Sequence, residues 1–396
     1  MRITPIEELN KRIQALQALM DEQALEGILL MQNADLFYFT GSIQQGVLYV
    51  PATGDPLYLV RRDYNRALRE CGLKDIAPFK SPKQIPGILA EFGHIIPRKA
   101  GMELDVVPVS LFSRFQEIFT HCLLVDASPL IRAVRSIKSQ YEIEIMKEAA
   151  LQVDKAYRRA REVIRVGMTE LELVAELEFT LRKEGHQGIT RMRGFNAELF
   201  YGHVFSGAAS AAPAFVDAPL GGIGVNPSIG QGAGYTCIEE NQPIIVDFLG
   251  AYDGYMVDQT RTLCIGGLPD KLHKAYRDMC RIQERLKEIA APGIMWGKLY
   301  EDCYDFACEL GYKEHFMGAA GSQVSFIGHG IGIEVDEFPL IARGFKDQEL
   351  QQMMTFAFEP KAVFPGLGSV GIENTYMVGE KGLHSLTFSN EELVVL

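Results

Sequence analysis

Two aspartates stand eleven residues apart in the run Ile244-Ile-Val-Asp-Phe-Leu-Gly-Ala-Tyr-Asp-Gly-Tyr-Met-Val-Asp258. Asp247 lies among β-formers, where a carboxylate is unfavourable unless something compensates it. Asp253-Gly254 is a two-residue hairpin turn signal. That turn sets Asp247 opposite residue 260, so Asp247 and Asp258 become diagonal neighbours on one face of the hairpin. A register shifted by one on each strand sets them directly opposite, still on one face. A second acidic pair, Glu359 and Glu373, flanks the turn at Pro365-Gly366-Leu367-Gly368. Their even spacing puts both side chains on one face if the loop is odd or bulged. Between the pairs lies Gly328-His329-Gly330-Ile331-Gly332, an imidazole with backbone freedom on both sides.

Each piece alone is a common structural feature, but together they form a set of four carboxylates and one imidazole. Each close carboxylate pair repels by about 4 kcal/mol at an effective dielectric of 20. Divalent cations relieve that repulsion, and this donor set suits Mn, Co, Fe or Zn. Five ligands are enough to bridge two ions, and a water shared between two ions is acidified towards a pKa of about 7. The residues Asp247, Asp258, His329, Glu359 and Glu373 therefore predict a metallohydrolase centre.

The composition agrees. Among 396 residues, 51 acids against 39 bases give a net charge of -12. That field repels phosphate backbones and anionic membranes and favours cations, so nucleic acid and membrane are not expected partners. Seven dispersed cysteines with no CxxC pair read as reduced thiols. Glu7, Glu8, Lys11 and Arg12 interrupt any signal-peptide core, and no apolar run reaches the ~20 residues of a membrane span. A cytoplasmic protein is expected.

The elements that must position the five residues fall into two sets. Thr4, Pro5 and Glu7 predict a capped first helix with Ile6, Leu9, Ile13, Leu16 and Met20 on its buried face. Short apolar runs follow at Gly27–Met31 and Leu36–Thr40, then a hairpin of Val47–Val50 with Leu57–Val60. Helical patterns over Tyr64–Cys71, Gln84–Phe92 and Val109–Phe119 alternate with short strands, which makes a small α/β domain over 1–134. From 135 to 396 the texture changes. Ser139 with Glu142, and Thr169 with Glu172, are capping boxes opening two amphipathic helices. Residues 206–234 are rich in Gly, Ala, Pro and Ser, a long functional loop. Strands, a helix pair and more strands complete an α+β chain.

The order and spacing resemble the pita-bread metallopeptidases, which include methionine aminopeptidase, aminopeptidase P and prolidase, with metal-free creatinase as a cousin. The matching residues are Asp247 and Asp258 continuing into Gln259-Thr-Arg-Thr262, His329 in Gly-His-Gly-Ile-Gly, Glu359-Pro360, and Glu373 in Ile-Glu-Asn-Thr. Asn33-Ala-Asp-Leu-Phe-Tyr-Phe-Thr-Gly41 is similar to the family's entry to its small domain, and Arg135-Ser-Ile-Lys-Ser139 to its domain junction. The resemblance therefore spans nearly the whole chain and lies nearer prolidase, aminopeptidase P and creatinase. It implies an N-terminal creatinase-like domain and a C-terminal pita-bread domain with a curved antiparallel sheet. It also implies two divalent ions (Mn or Co foremost, Zn or Fe otherwise), Glu359 as proton shuttle, a small peptide substrate of Xaa-Pro type, and a homodimer.

Three positions depart from the pattern. A second His usually follows the metal His in a His-Glu-x-Pro run, which here reads Asp336-Glu337-Phe338-Pro339. Another His before the first Asp is matched by Ala214, and the Arg two before the last Glu is Gly371. His203, Arg191, Arg193 and Asp336 are the candidate replacements, with His203 and Asp336 taken as catalytic beside Glu359. The lost imidazoles leave open a second reaction, hydrolysis or lysis of a small non-peptide C–N or C–X bond. A silent binding protein is the third reading.

Overall fold

The computed structural model describes residues 2–396. The chain forms two units: Met1–Arg135 with Arg193–Ala197, and Ser136–Met192 with Glu198–Leu396.

In the first unit, helix α1 (Ile6–Glu22) buries Leu9, Ile13, Leu16 and Met20, and its first residue Ile6 stays exposed. Pro5 takes the N-cap position, and no side chain caps the helix. The expected Thr4 cap is lost because Thr4 is itself buried. Its Cβ and Oγ1 pack against Gly41, which ends α2 (Asn33–Thr40) in the left-handed region. Six strands follow: β1 (Gly27–Leu30), β2 (Gly46–Pro51), β3 (Leu57–Val60), β4 (Asp75–Pro78), β5 (Lys99–Met102) and β6 (Leu123–Asp126). They order as β4-β3-β2-β1-β5-β6, with β1–β2 and β2–β3 antiparallel and the other pairs parallel. Helices α3 (Tyr64–Glu70), α4 (Ile85–Glu91), α5 (Val109–Ile118) and α6 (Ser128–Ser136) alternate with the strands. Leu29, Tyr49, Leu59, Ile85 and Phe115 share one apolar core between sheet and helices.

In the second unit both capping boxes form. Ser139 Oγ accepts from Glu142 N at 3.2 Å while Glu142 Oε2 accepts from Ser139 N at 2.8 Å, opening α7 (Gln140–Val163). Thr169 and Glu172 repeat the exchange at 3.1 and 2.8 Å, opening α8 (Glu170–Lys183). Each box satisfies two N–H groups at the helix start, and in α8 the N–H groups of Glu170 and Leu171 donate to the carbonyls of Thr236 and Gly234. Strands β7 (Gly202–Ser206), β8 (Ile244–Tyr252) and β9 (Tyr255–Cys264) form one sheet with the last strand of the chain, β17 (Val394–Val395), in the order β17-β9-β8-β7. Helices α9 (Asp270–Ile289) and α10 (Trp296–Glu309) come next.

A second sheet is made from β10 (Phe326–Ile331), β11 (Val335–Ala342), β12 (Thr355–Phe358), β15 (Asn374–Val378) and β16 (Leu383–Ser385), ordered β11-β10-β12-β15-β16. Between β12 and β15 the chain makes the hairpin of β13 (Lys361–Phe364) and β14 (Gly368–Gly371); β17 (Val394–Val395) closes the fold. All strand pairs of this unit are antiparallel except β17–β9. One core unites Leu272, Met279, Ile282 and Leu286 of α9 with Leu299 of α10 and with Phe356 and Tyr376 of the second sheet. The two sheets are tied at Asp258, whose N–H donates to Thr375 Oγ1 at 2.8 Å and whose carbonyl accepts from that hydroxyl at 2.9 Å.

After β7 only a short 3₁₀ turn (Gly207–Ala211) interrupts the irregular backbone before β8. This segment is nonetheless folded. Gly222 N donates to Ala212 O, Gly232 N to Gly221 O, and Gly224 N to Gly232 O. Buried Glu170 of α8 pins both of its ends, accepting from Ser206 N at 2.6 Å and Gly234 N at 2.9 Å.

Candidate metal centre

The β8–β9 hairpin has the register its Asp253-Gly254 turn dictates, with Tyr252 opposite Tyr255 and Asp247 opposite Thr260. Asp247 and Asp258 are therefore diagonal on one face. The Glu pair is set by one register running through two ladders. Phe358 faces Asn374 and Lys361 faces Gly371, so Glu359 and Glu373 face each other in the gap between them. The loop joining β13 and β14 holds three residues between the pair Phe364 and Gly368, the odd length this arrangement needs. His329 sits mid-strand in β10, between Leu340 of β11 and Ala357 of β12. Its flanking glycines serve close approach: a Cβ at Gly328 would lie 2.6 Å from Ala357 O, and one at Gly330 2.4 Å from Glu337 O.

Three of these side chains come together as a possible ion site. Asp258, His329 and Glu373 are all buried, and one ligand atom from each lies within 4.8 Å of the others. Glu373 Oε1 is buried with no hydrogen-bond partner, 3.8 Å from His329 Nε2. A buried carboxylate oxygen left bare is costly, so this geometry fits a divalent ion. Glu359 Oε1 approaches the same nitrogen at 3.9 Å. The other oxygen of Glu373 is fixed by Thr260 Oγ1, which donates to it at 2.6 Å. Behind them the buried Arg261 guanidinium donates to the carbonyls of Thr260, Glu373 and Ser389 and to Asn374 Oδ1, clamping β9 to the chain around Glu373.

Asp247 is outside that triad and pairs instead with a residue the sequence pattern does not single out. Lys361, buried, places its Nζ 2.6 Å from Glu359 Oε2, 3.1 Å from Asp247 Oδ2 and 3.3 Å from Glu373 Oε2. A five-ligand, two-ion site contains no such ammonium. Strand alternation was the available signal: Lys361 is two residues after Glu359 and must share its face.

The charges answer to this arrangement. Burial would lower the Lys361 pKa, but Asp247, Glu359 and Glu373 together hold it well above the ordinary lysine value. Burial, then repulsion from Glu373 and Asp247, raises Asp258 well above the ordinary range, and burial likewise raises Asp247 despite Lys361. Glu359 is pushed up to about 7 by burial, against the pull of Lys361. Glu373 goes the other way, to about 2, because Lys361 and His329 outweigh its burial. His329, despite burial, is raised to about 10 by the facing Glu373 and by Asp336 and Glu359.

The remaining candidates divide. His203 of β7 stands opposite Asp247 and lines the same cleft. Burial, with the charge of Lys361, lowers it to about 4, so the ring is neutral. Asp336, just past the turn at 332–334, is in the left-handed region (φ 63) at a bulge in β11, its Oδ1 3.7 Å from His329 Nδ1. The turn is held by Glu337, which accepts from Ile333 N and Glu334 N and pairs with buried Lys138 at 2.8 Å. Arg193 belongs to the first unit, where it pairs with Asp35 at 2.8 Å and Asp105 at 2.5 Å, so it is a structural charge there. Arg191 contributes its carbonyl to Val335 N. Ala214 packs beside Gly221, where an added Cβ would lie 2.2 Å from Ala214 N. The 206–234 loop walls one side of the cleft through Val216, Asp217, Pro219 and Leu220.

Residues 144–380 match the model of metallopeptidase family M24. The chain belongs to that family. Residues 12–137 match the creatinase/prolidase N-terminal domain, and the M24 pita-bread fold accounts for the antiparallel sheets that carry the site. Among M24 relatives, the chain is 27% identical over 388 residues to a Xaa-Pro dipeptidase of Pyrococcus furiosus, covering 98% of this chain and all of that protein. The structure of a Xaa-Pro dipeptidase from Bacillus anthracis superposes with a TM-score of 0.83 at 28% identity, over 98% of this chain and 100% of the other. An X-Pro aminopeptidase from Thermotoga maritima gives 0.79 at 26% identity, over 97% and 99%. The protein is thus a metallopeptidase of a divalent-metal family.

Proposed function

We propose that this M24 peptidase hydrolyses the amide bond of small Xaa-Pro peptides, dipeptides foremost. The observation that carries the reading is the buried triad of Asp258, His329 and Glu373, with the bare oxygen of Glu373 turned into it. The carboxylate-rich donors with one imidazole suit Mn or Co. A divalent ion bound there supplies Lewis acidity toward the scissile carbonyl.

The chain's own residues do the rest. Glu359, with a pKa near 7, is suited to take a proton and deliver it to the leaving nitrogen, because a shuttle works best near the operating pH. His203, neutral and facing the cleft, donates a hydrogen bond to the substrate carbonyl side. Asp336 orients the His329 ring from its Nδ1 edge, as carboxylates behind a ligating imidazole do. Val216, Pro219 and Leu220 exclude water from the apolar side of the substrate. A homodimer follows from the family likeness, and seven free cysteines suit a reducing compartment such as the cytoplasm. No helix among the described residues is long and apolar enough to cross a membrane.

The test is a panel of Xaa-Pro dipeptides, longer Xaa-Pro peptides and non-proline dipeptides, assayed with added Mn or Co and after chelation. Metal-restored cleavage of the Xaa-Pro dipeptides is expected. No cleavage anywhere in the panel by metal-loaded protein overturns the reading.

A further inference from the structure

We propose that the Lys361 ammonium is a built-in cation of this centre, standing where a second divalent ion would bridge Asp247, Glu359 and Glu373, so that the chain binds one ion and not two. This rests on the reading that Asp258, His329 and Glu373 hold an ion.

Three observations carry it. First, an ammonium has three N–H donors and no acceptor, and Nζ has three carboxylate partners, at 2.6, 3.1 and 3.3 Å. Every donor is used inside the cluster, which leaves none for substrate. The lysine is therefore part of the centre's charge balance, not a substrate contact. Second, an ion on the same three carboxylates would sit about 2.0–2.2 Å from their oxygens, in the space Nζ fills. The two cations exclude each other. Third, the fold makes room for this side chain. Lys361 stands opposite Gly371, where a Cβ would lie 2.4 Å from Lys361 Cγ. With a side chain at 371, the lysine stem could not lie where it does.

The triad, by contrast, is open. No Lys361 contact reaches Asp258 or His329, and Glu373 offers the triad its other oxygen, Oε1. The two oxygens of Glu373 thus serve two cations, one permanent and one exchangeable.

The experiment counts ions. Purified wild type and Lys361→Met, which keeps the aliphatic stem, are saturated with Mn or Co, freed of excess, and analysed for metal per chain; circular dichroism and gel filtration establish that the variant is folded. About one ion in wild type and about two in the variant are expected. Two ions in wild type overturn the proposal while leaving the peptidase reading intact, and this count needs no variant. Equal counts in wild type and folded Lys361→Met also overturn it. If wild type holds none and Lys361→Met gains an ion, the lysine's exclusion of metal stands and the metal-dependent peptidase reading falls.

Discussion

Gly371 and Lys361 face each other across the β13–β14 hairpin, and a single methyl at 371 would meet the lysine stem at 2.4 Å. The pair explains a departure visible in the sequence, where the resemblance places an arginine at 371. The residue facing Lys361 carries no side chain, which leaves the lysine stem its space.

Gly371→Ala should therefore destabilise the protein by about 1–3 kcal/mol, the usual cost of overpacking. The same change in a Lys361→Ala background removes the stem it strikes, so its effect there should be smaller. Urea midpoints of wild type, both single variants and the double variant measure this coupling. Additive effects would show that the clash is not with Lys361.

Thr260 never touches the ion site directly, yet its hydroxyl fixes Glu373 at 2.6 Å. Thr260→Val keeps the shape and removes the donor, leaving Glu373 Oε2 with Lys361 Nζ, at 3.3 Å, as its remaining partner. Groups that orient metal ligands typically contribute 10- to 100-fold in affinity. We expect metal affinity to fall by about that factor in a competition titration, with little change in the melting temperature of the metal-free protein. Unchanged affinity would assign Thr260 to packing alone.

Much of this centre was legible because hairpins obey a period of two. Asp253-Gly254 fixed the β8–β9 register, and the even spacing of Glu359 and Glu373 fixed their shared face. The same rule, carried two residues past Glu359, reaches Lys361, but a lysine amid carboxylates reads locally as a surface residue and its burial is a tertiary fact. The N-terminal helix shows the converse. Thr4, Pro5 and Glu7 spell a capping box, yet Thr4 is buried against Gly41 from the end of α2, a contact no local pattern contains. Asp336 was legible as a replaced histidine; its position behind the His329 ring depends on the Glu337–Lys138 pair, 199 residues apart in sequence.

Acid should destabilise this protein through His186. The ring is buried, with Nδ1 accepting from Gly188 N at 3.0 Å and Nε2 3.1 Å from Leu249 O, an arrangement that suits the neutral tautomer. Burial lowers its pKa to about 4. Between the ordinary value near 6.5 and about 4 the unfolded chain binds the proton and the folded chain does not, so stability is full above that window and declines as pH falls through it. The total is about 3 kcal/mol. Urea unfolding from pH 7 to 4 should show a flatter pH slope in His186→Gln than in wild type. Equal slopes would place the titration elsewhere.

His203 separates binding of the ion from use of the substrate. Its ring packs between Phe200 and Phe205, with centroids 5.3 and 5.4 Å away. It lines the cleft opposite Asp247 and is not among the triad that could hold an ion. Removing it should leave metal content unchanged. A hydrogen-bond donor aimed at charge that develops on the substrate contributes about 10²–10³ in turnover, so His203→Ala should lower kcat by that order with a smaller change in KM. With a pKa near 4 the ring stays neutral above pH 5. A limb of the pH–rate profile set by Glu359, expected near 7, should therefore keep its position in His203→Ala. A shift of that limb would make His203 a proton carrier, and an unchanged kcat would remove it from the site.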